Sequence, residues 1–335
     1  MSEPINLPVA KFMEKAQYKN SHTAEDAFIL LITGDNIFPD DLTNLHIEFC
    51  RKHKLNISLD NFYNLLKSNT QFVNKYKNSI LDCAFKCLDK GVNIGTRMSG
   101  PFNTTEWISH SLNVAKFCYQ KASTMFGVDP LVALKVGLLH DIGRKYSHKF
   151  DHIVEGYKYL NSIGWVDEAN ACLTHSFLKG YRCANNESAI QGCTFLPNKT
   201  EVWDQFAIKD DMTKYLEKYN YNVYDNLLCL ADLCATSKGI VCPFERILDI
   251  ATRRPNIDNQ ANRVFFLDVL TDTLKQFTPA SYQSNNNITF ESLIEKYPSL
   301  KGIENQKLQE SYLNLYKASD NFYKYYKVMV KNRQK

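Results

Sequence analysis

Apolar positions along the chain recur at three- and four-residue spacing, and no segment alternates apolar and polar residues for long enough to predict a strand. Helices are predicted over 24–32, 40–55, 59–67 and 70–90, with Asp60 and Asn69 as caps and Gly91 as the stop after the last. A patch rich in Gly, Ser, Pro and Asn, 93–103, follows this first quarter. The next helix is capped by Thr104 or Thr105, carries Glu106 in its first turn and closes at Gly127. Asp129 and Pro130 then supply a cap and a proline at the first helical position, opening a helix that runs through LVALKVGLLHDI to Gly143. Two more helices are predicted, one over 152–160 ending near Gly164 and one through EANACLTHSF behind an Asp167 cap. Residues 178–222 form a polar, loop-rich excursion containing Trp203. Helix resumes at Asp225, passing through LLCLADLCATS to Gly239, and PFERILDIATRR ends before Pro255.

A polar linker, 278–290, precedes a tyrosine-rich helical tail, and there is no internal repeat. The fold class is all-α, with strands expected only as a hairpin inside the excursion. The chain divides into an accessory helical region over 1–95, a core over 96–254 interrupted by the excursion, and a C-terminal helical extension over 255–335. The first quarter holds no concentration of reactive side chains, so the chemistry is expected in the core.

Composition narrows this picture without changing it. A chain of 335 residues can bury a large helical core. Its net charge of +4 is spread along the length, apart from a mildly basic segment over 323–335 that reads as a solvated last helix. No nucleic-acid partner is expected. No stretch approaches a membrane span, and the N-terminus shows no basic segment followed by an apolar one, so no membrane partner is expected either. The ten cysteines form no CxxC pair and are expected to be reduced, mostly buried thiols of a cytoplasmic protein. The tail leaves the oligomeric state open.

The stretch GLLHDIGRKYSHKFDH ends an apolar helix in an adjacent His140–Asp141 pair. Neighbouring side chains on a helix point about 100° apart, so both reach one ion only near the helix end, which Gly143 supplies. Every other central helix offers at least one further donor, giving the set His110, His140, Asp141, His152, His175 and Asp232. Any one of these histidines alone reads as a hydrogen-bonded core or helix-end residue; together they read as a metal site. His148, one helical turn before His152, is an alternative ligand or a group supporting one. His22, His46 and His53 lie outside the core and are expected at the surface. A mixed imidazole–carboxylate set suits Mn²⁺, Fe²⁺, Co²⁺, Ni²⁺ or Zn²⁺, one or two ions, with Mg²⁺ admissible in a second position.

In its order H…HD…H…H…D, with HDIG in the middle, the chain resembles the HD-domain metal-dependent phosphohydrolases over roughly residues 104–254. The resemblance implies an HD-type helical bundle and places a first ion on His110, His140, Asp141 and Asp232. His152 and His175 match the two extra histidines of the dinuclear branch, in which Asp141 would bridge two ions that activate a water for in-line attack on phosphorus. The implied substrate is a small phosphorylated molecule, a nucleotide above all. Arg144 stands where many such proteins carry a Lys or Arg close to the substrate phosphate, and Lys145, Lys179, Arg182 and Lys238 are further cations on the C-terminal side of ligand-bearing helices. Asp141, Arg144 and Lys179 are therefore the candidate catalytic residues. No phosphate-binding loop motif occurs, so nucleotide would bind as substrate through the ions. The long gap from His175 to Asp232 departs from the family pattern and would carry specificity. The alternative is the mixed-valent di-iron oxygenase group, which resembles the same scaffold and often carries a lysine shortly after the fourth histidine, as Lys179 does here.

Overall fold

In a computed structural model, residues 22–33, 42–94, 106–146, 152–176, 219–253, 260–283 and 287–333 are described. The first layer comprises α1 (Ala24–Ile32), α2 (Thr43–His53), α3 (Leu59–Ser68) and α4 (Thr70–Asp89). The central helices are α5 (Trp107–Ala122), α6 (Pro130–Leu139), a 3₁₀ turn (Ile142–Lys145), α7 (His152–Ser162), α8 (Val166–Thr174) and α9 (Val223–Cys234). A minimal antiparallel pair, β1 (Ala235–Thr236) and β2 (Gly239–Ile240), leads into α10 (Pro243–Arg253), α11 (Gln260–Gln276), α12 (Phe290–Lys296) and α13 (Gln306–Arg333). The fold is all-α, as the periodicity predicts.

Helix starts follow local capping chemistry. Asn69 accepts a hydrogen bond from the Phe72 N–H at 2.8 Å and Asp129 one from the Leu131 N–H at 2.8 Å, each satisfying an otherwise orphaned first-turn donor. Beyond α4, Gly91 takes φ +71°, a left-handed conformation that costs glycine little. Three expected helix starts are corrected. Glu106, expected in a first turn, stands itself at the cap position of α5 and makes no side-chain cap bond, while Thr104 and Thr105 lie outside the described residues. Ser58 caps α3, leaving Asp60 in the first turn, and α8 starts behind Trp165, which makes no side-chain cap bond, leaving Asp167 in the first turn. The helix expected to reach Gly239 stops at Cys234, because Thr236 Oγ1 accepts from the Lys238 N–H and donates to the Gly239 carbonyl, and this turn chemistry displaces the helical ladder. The one described strand pair lies here, after α9; the excursion in which a hairpin was expected lies outside the described residues as far as 218. Within the expected 278–290 linker, Ala280–Tyr282 form a 3₁₀ turn whose Tyr282 ring packs on Tyr325 at 5.2 Å.

Two apolar cores flank the central helices, and α5 and α6 serve both. Ile108, Leu112 and Ala115 of α5, with Leu134, Leu138 and Leu139 of α6, pack into the core built by α1–α4. Val114, Phe117, Cys118 and Ala122, with Ala133 and Val136, face the core shared with α9–α13. Apolar residues all round α6 are the sequence signature of that two-sided burial. The last helix is not wholly solvated: Phe322, Tyr325, Tyr326 and Met329 are buried, and Lys324, Lys327 and Lys331 occupy its wet face. All three of the expected surface histidines are half-buried, His46 with Nε2 2.7 Å from the Ile57 carbonyl and His53 with Nε2 2.6 Å from Ser79 Oγ. His22 stacks on Trp165 at 3.8 Å. No disulfide joins the described cysteines, seven of which are buried. No described helix is long and apolar enough to cross a membrane.

Candidate metal centre

Six side chains from six successive elements converge. His110 comes from α5, His140 from the end of α6, Asp141 from the start of the 3₁₀ turn, His152 from the first position of α7, His175 from the end of α8 and Asp232 from α9. Asp141 is central. Its Oδ1 lies 2.9 Å from His152 Nε2 and 3.7 Å from His175 Nε2, while its Oδ2 lies 3.7 Å from His140 Nε2 and 3.9 Å from His110 Nε2. Asp232 Oδ1 is 2.9 Å from His110 Nε2 and 3.6 Å from His140 Nε2. Two three-residue groups with donor atoms mutually within 4.8 Å result, His110–His140–Asp141 and Asp141–His152–His175, and they share Asp141.

The imidazoles are set up as donors to a cation. His140 Nδ1 lies 2.8 Å from the Gly137 carbonyl and His175 Nδ1 3.3 Å from the Ala171 carbonyl. A carbonyl only accepts, so Nδ1 carries the hydrogen in each ring and a neutral ring presents its Nε2 lone pair inward. Burial, with the neighbouring His140 ring, pushes His175 down to about 3, so this ring is neutral at physiological pH. Burial also works to lower His140, but Asp141 and Asp232 beside it raise it above the ordinary histidine value. For Asp141, burial opposes ionisation, yet Arg144, His140 and His152 hold its carboxyl well below the usual carboxylate range. Asp232 is held low in the same way, against burial, by its hydrogen bond with His110 and by the neighbouring His140. Two carboxylates thus stay ionised among the rings. Among the described residues, His140 Nε2 and Asp141 Oδ1 make no hydrogen bond although both are buried. A buried lone pair left in this way carries a desolvation cost that a divalent ion would remove, so the residues fit a metal.

Glycines hold the turn against α7. A Cβ on Gly143 would lie 1.9 Å from the His152 carbonyl oxygen and 2.4 Å from the Gly156 nitrogen, so only a bare Cα lets the two backbones approach. On Gly156 it would meet Cys172 Sγ at 2.9 Å and the Gly143 nitrogen at 3.1 Å, and on Gly137 the Ala115 Cα at 2.6 Å. Gly143 therefore brings His152 to Asp141 as well as following the helix end. Gly137 and Gly156 were not predicted to matter; a glycine inside an apolar helix run was the available signal.

Of the expected cations, Arg144 sits beside the centre, its Nε 2.5 Å from Asp141 Oδ2 and its side chain partly exposed. Lys145 is corrected: it is buried, donates to the Leu30 carbonyl and lies 5.8 Å from the Tyr159 ring centroid, so it anchors α1. Lys238 is exposed in the β1–β2 turn, which Asn113 Nδ2 ties to α5 through the Thr236 and Ser237 carbonyls at 2.8 and 3.3 Å. Lys179, Arg182, His148 and Trp203 lie outside the described residues.

The family model for the HD domain matches residues 107–236, the stretch that supplies all six donors. Residues 107–236 are an HD domain. No curated protein and no solved structure matches the chain. HD domains bind divalent metals and belong mostly to metal-dependent phosphohydrolases, and this one keeps its His/Asp cluster assembled.

Proposed function

We propose that this chain is a dinuclear metal-dependent phosphohydrolase that cleaves a phosphoester or phosphoanhydride bond of a small phosphorylated molecule, a nucleotide above all. The carrying observation is that both donor groups of the HD domain share the carboxylate of Asp141. One ion would be held by His110, His140, Asp141 and Asp232, the other by Asp141, His152 and His175. Bound divalent ions supply a water of lowered pKa and neutralise charge on phosphoryl oxygens.

The protein's own groups prepare that chemistry. Asp141 is kept ionised by Arg144 and by its histidine neighbours, which favours charge-sharing between two cations. Arg144 engages Asp141 through Nε, which leaves the outer Nη donors to grip a phosphoryl oxygen at the partly exposed edge. His140 and His175 are oriented by carbonyls of their own helices, so the rings need no rearrangement to bind. Lys179 is proposed as a further substrate cation on the sequence alone.

Metal analysis of protein purified without added metal, paired with a phosphoesterase screen under Mn²⁺, Fe²⁺, Co²⁺ and Ni²⁺, tests the reading. Two equivalents of metal and release of phosphate from a nucleotide support it. Two irons and no hydrolysis of any phosphoester point to the di-iron oxygenase instead, and one equivalent or fewer assigns His152 and His175 a structural role. Asp141→Ala is expected to abolish turnover and metal binding while far-UV circular dichroism stays near wild type; full activity without metal overturns the proposal.

A further inference from the structure

The six donors are not equally accessible. Side-chain exposure is 15% for His110 and 29% for Asp232, but 5% for His152, 3% for His175 and nil for His140. Arg144, 29% exposed, bonds Asp141 Oδ2, the same oxygen that lies 3.9 Å from His110 Nε2, and so borders the His110 side of the centre. The centre therefore has an open half, formed by α5 and α9, and a closed half, formed by the 3₁₀ turn, α7 and α8.

The closed half is also mechanically fixed. His152 opens α7, whose backbone touches the turn at Gly143 and Gly156 with no space for a Cβ. The end of α8 is tied down on two sides. Thr174 Oγ1 donates to Asp225 Oδ1 at 2.8 Å, and Cys229 Sγ donates to the Thr174 carbonyl at 3.2 Å. Cys172 Sγ donates to the Leu139 carbonyl at 3.4 Å. The His175 ring is packed between His140 at 5.0 Å and His152 at 5.7 Å. Releasing an ion from Asp141, His152 and His175 therefore requires a helix end to open, whereas His110 and Asp232 already meet solvent.

We infer that the two ions differ in role and lability. The ion on Asp141, His152 and His175 is a retained, slowly exchanging one, and the ion on His110, His140, Asp141 and Asp232 is exchangeable and meets the phosphoryl group arriving across the His110–Asp232–Arg144 edge. This rests on the dinuclear reading above.

The test is chelator-driven release from the Co²⁺-loaded full-length protein, followed with a colorimetric metallochromic chelator and needing no substrate. Wild type is expected to lose one equivalent quickly and the second at least about tenfold more slowly, since escape of the buried ion is gated by local opening. His110→Ala and Asp232→Asn are expected to lack the fast phase and keep the slow one. His175→Gln is expected to lack the slow phase, with circular dichroism checking that each variant folds. Release of two equivalents in a single phase, or a slow phase that disappears in both open-half variants, overturns the inference while leaving the dinuclear centre standing. A wild-type protein that loads fewer than two equivalents overturns both.

Discussion

Gly143→Ala is the sharpest perturbation the structure offers. The added Cβ would sit 1.9 Å from the His152 carbonyl oxygen, 2.8 Å from its carbon and 2.4 Å from the Gly156 nitrogen, all backbone atoms that cannot rotate away. Relieving the closest contact to the 3.0 Å floor of real Cβ contacts moves the turn and α7 apart by about 1.1 Å, because packed backbones yield only as rigid pieces. Metal ligands tolerate displacements of about 0.2 Å, so the 2.9 Å approach of His152 to Asp141 does not survive such a movement in a ligating geometry. His110, His140 and Asp232 lie on elements that the clash does not touch. The variant is expected to lose about 1–3 kcal/mol of stability from overpacking. The equivalent held by Asp141, His152 and His175 is expected to weaken by at least about 100-fold, the upper end of what loss of a supporting contact costs. The equivalent held by His110, His140, Asp141 and Asp232 is expected to remain. Thermal melting of metal-free protein and metal counting by mass spectrometry after dialysis read the two effects separately. A Gly143→Ala protein with wild-type melting temperature and two tightly held equivalents would falsify the close-approach argument, and equal weakening of both equivalents would refute its selectivity.

Other consequences follow from charges away from the metal. Lys135 Nζ lies 3.0 Å from Glu168 Oε1 and 3.1 Å from the His22 carbonyl, all deep between α6, α8 and the start of α1. Lys135→Met strands a buried carboxylate and is expected to cost about 3–5 kcal/mol in urea denaturation, with Lys135→Met/Glu168→Leu recovering most of it; a single-variant loss below about 1 kcal/mol speaks against the pair's importance. Glu48, hydrogen-bonded by Arg51 and Lys90, has its carboxyl held down to about 2, below the 4.5 of an unperturbed glutamate. A depressed folded-state pKa means that its stabilisation is complete above pH 4.5 and is lost as pH falls from there toward 2. Glu48→Gln is therefore expected to flatten the melting-temperature profile over that window, by a small amount because Arg51 and Lys90 are exposed, and an unchanged acid limb refutes the assignment.

The helices and the donor set were legible in the chain because both depend on local rules. Apolar spacing marks helices, Asn69 and the Asp129–Pro130 pair mark starts, and His110, the His140–Asp141 pair, His152, His175 and Asp232 each fall at a helix position that can face one centre. The errors were local competitions decided by neighbours. Ser58 and Asp60 are both competent caps, and only the backbone path selects Ser58. Thr236 can continue a helix or close a turn, and the closed turn, with Asn113 holding its carbonyls, wins. Lys145 and Arg144 are adjacent cations of the same type, yet one is buried on α1 and the other borders the centre, a difference set by the rotation of the 3₁₀ turn.

By itself the sequence determined which residues are helical and which side chains can ligate, since propensity, capping and donor chemistry are properties of short stretches. The family resemblance already implied Asp141 as the shared donor; the tertiary structure alone decided how closely its carboxylate approaches the four histidines, that Gly143 is required by the carbonyl of His152, and that one half of the centre is open to water while the other is closed. Those outcomes depend on how closely separate backbones approach, and that distance is set by packing between elements far apart in the chain.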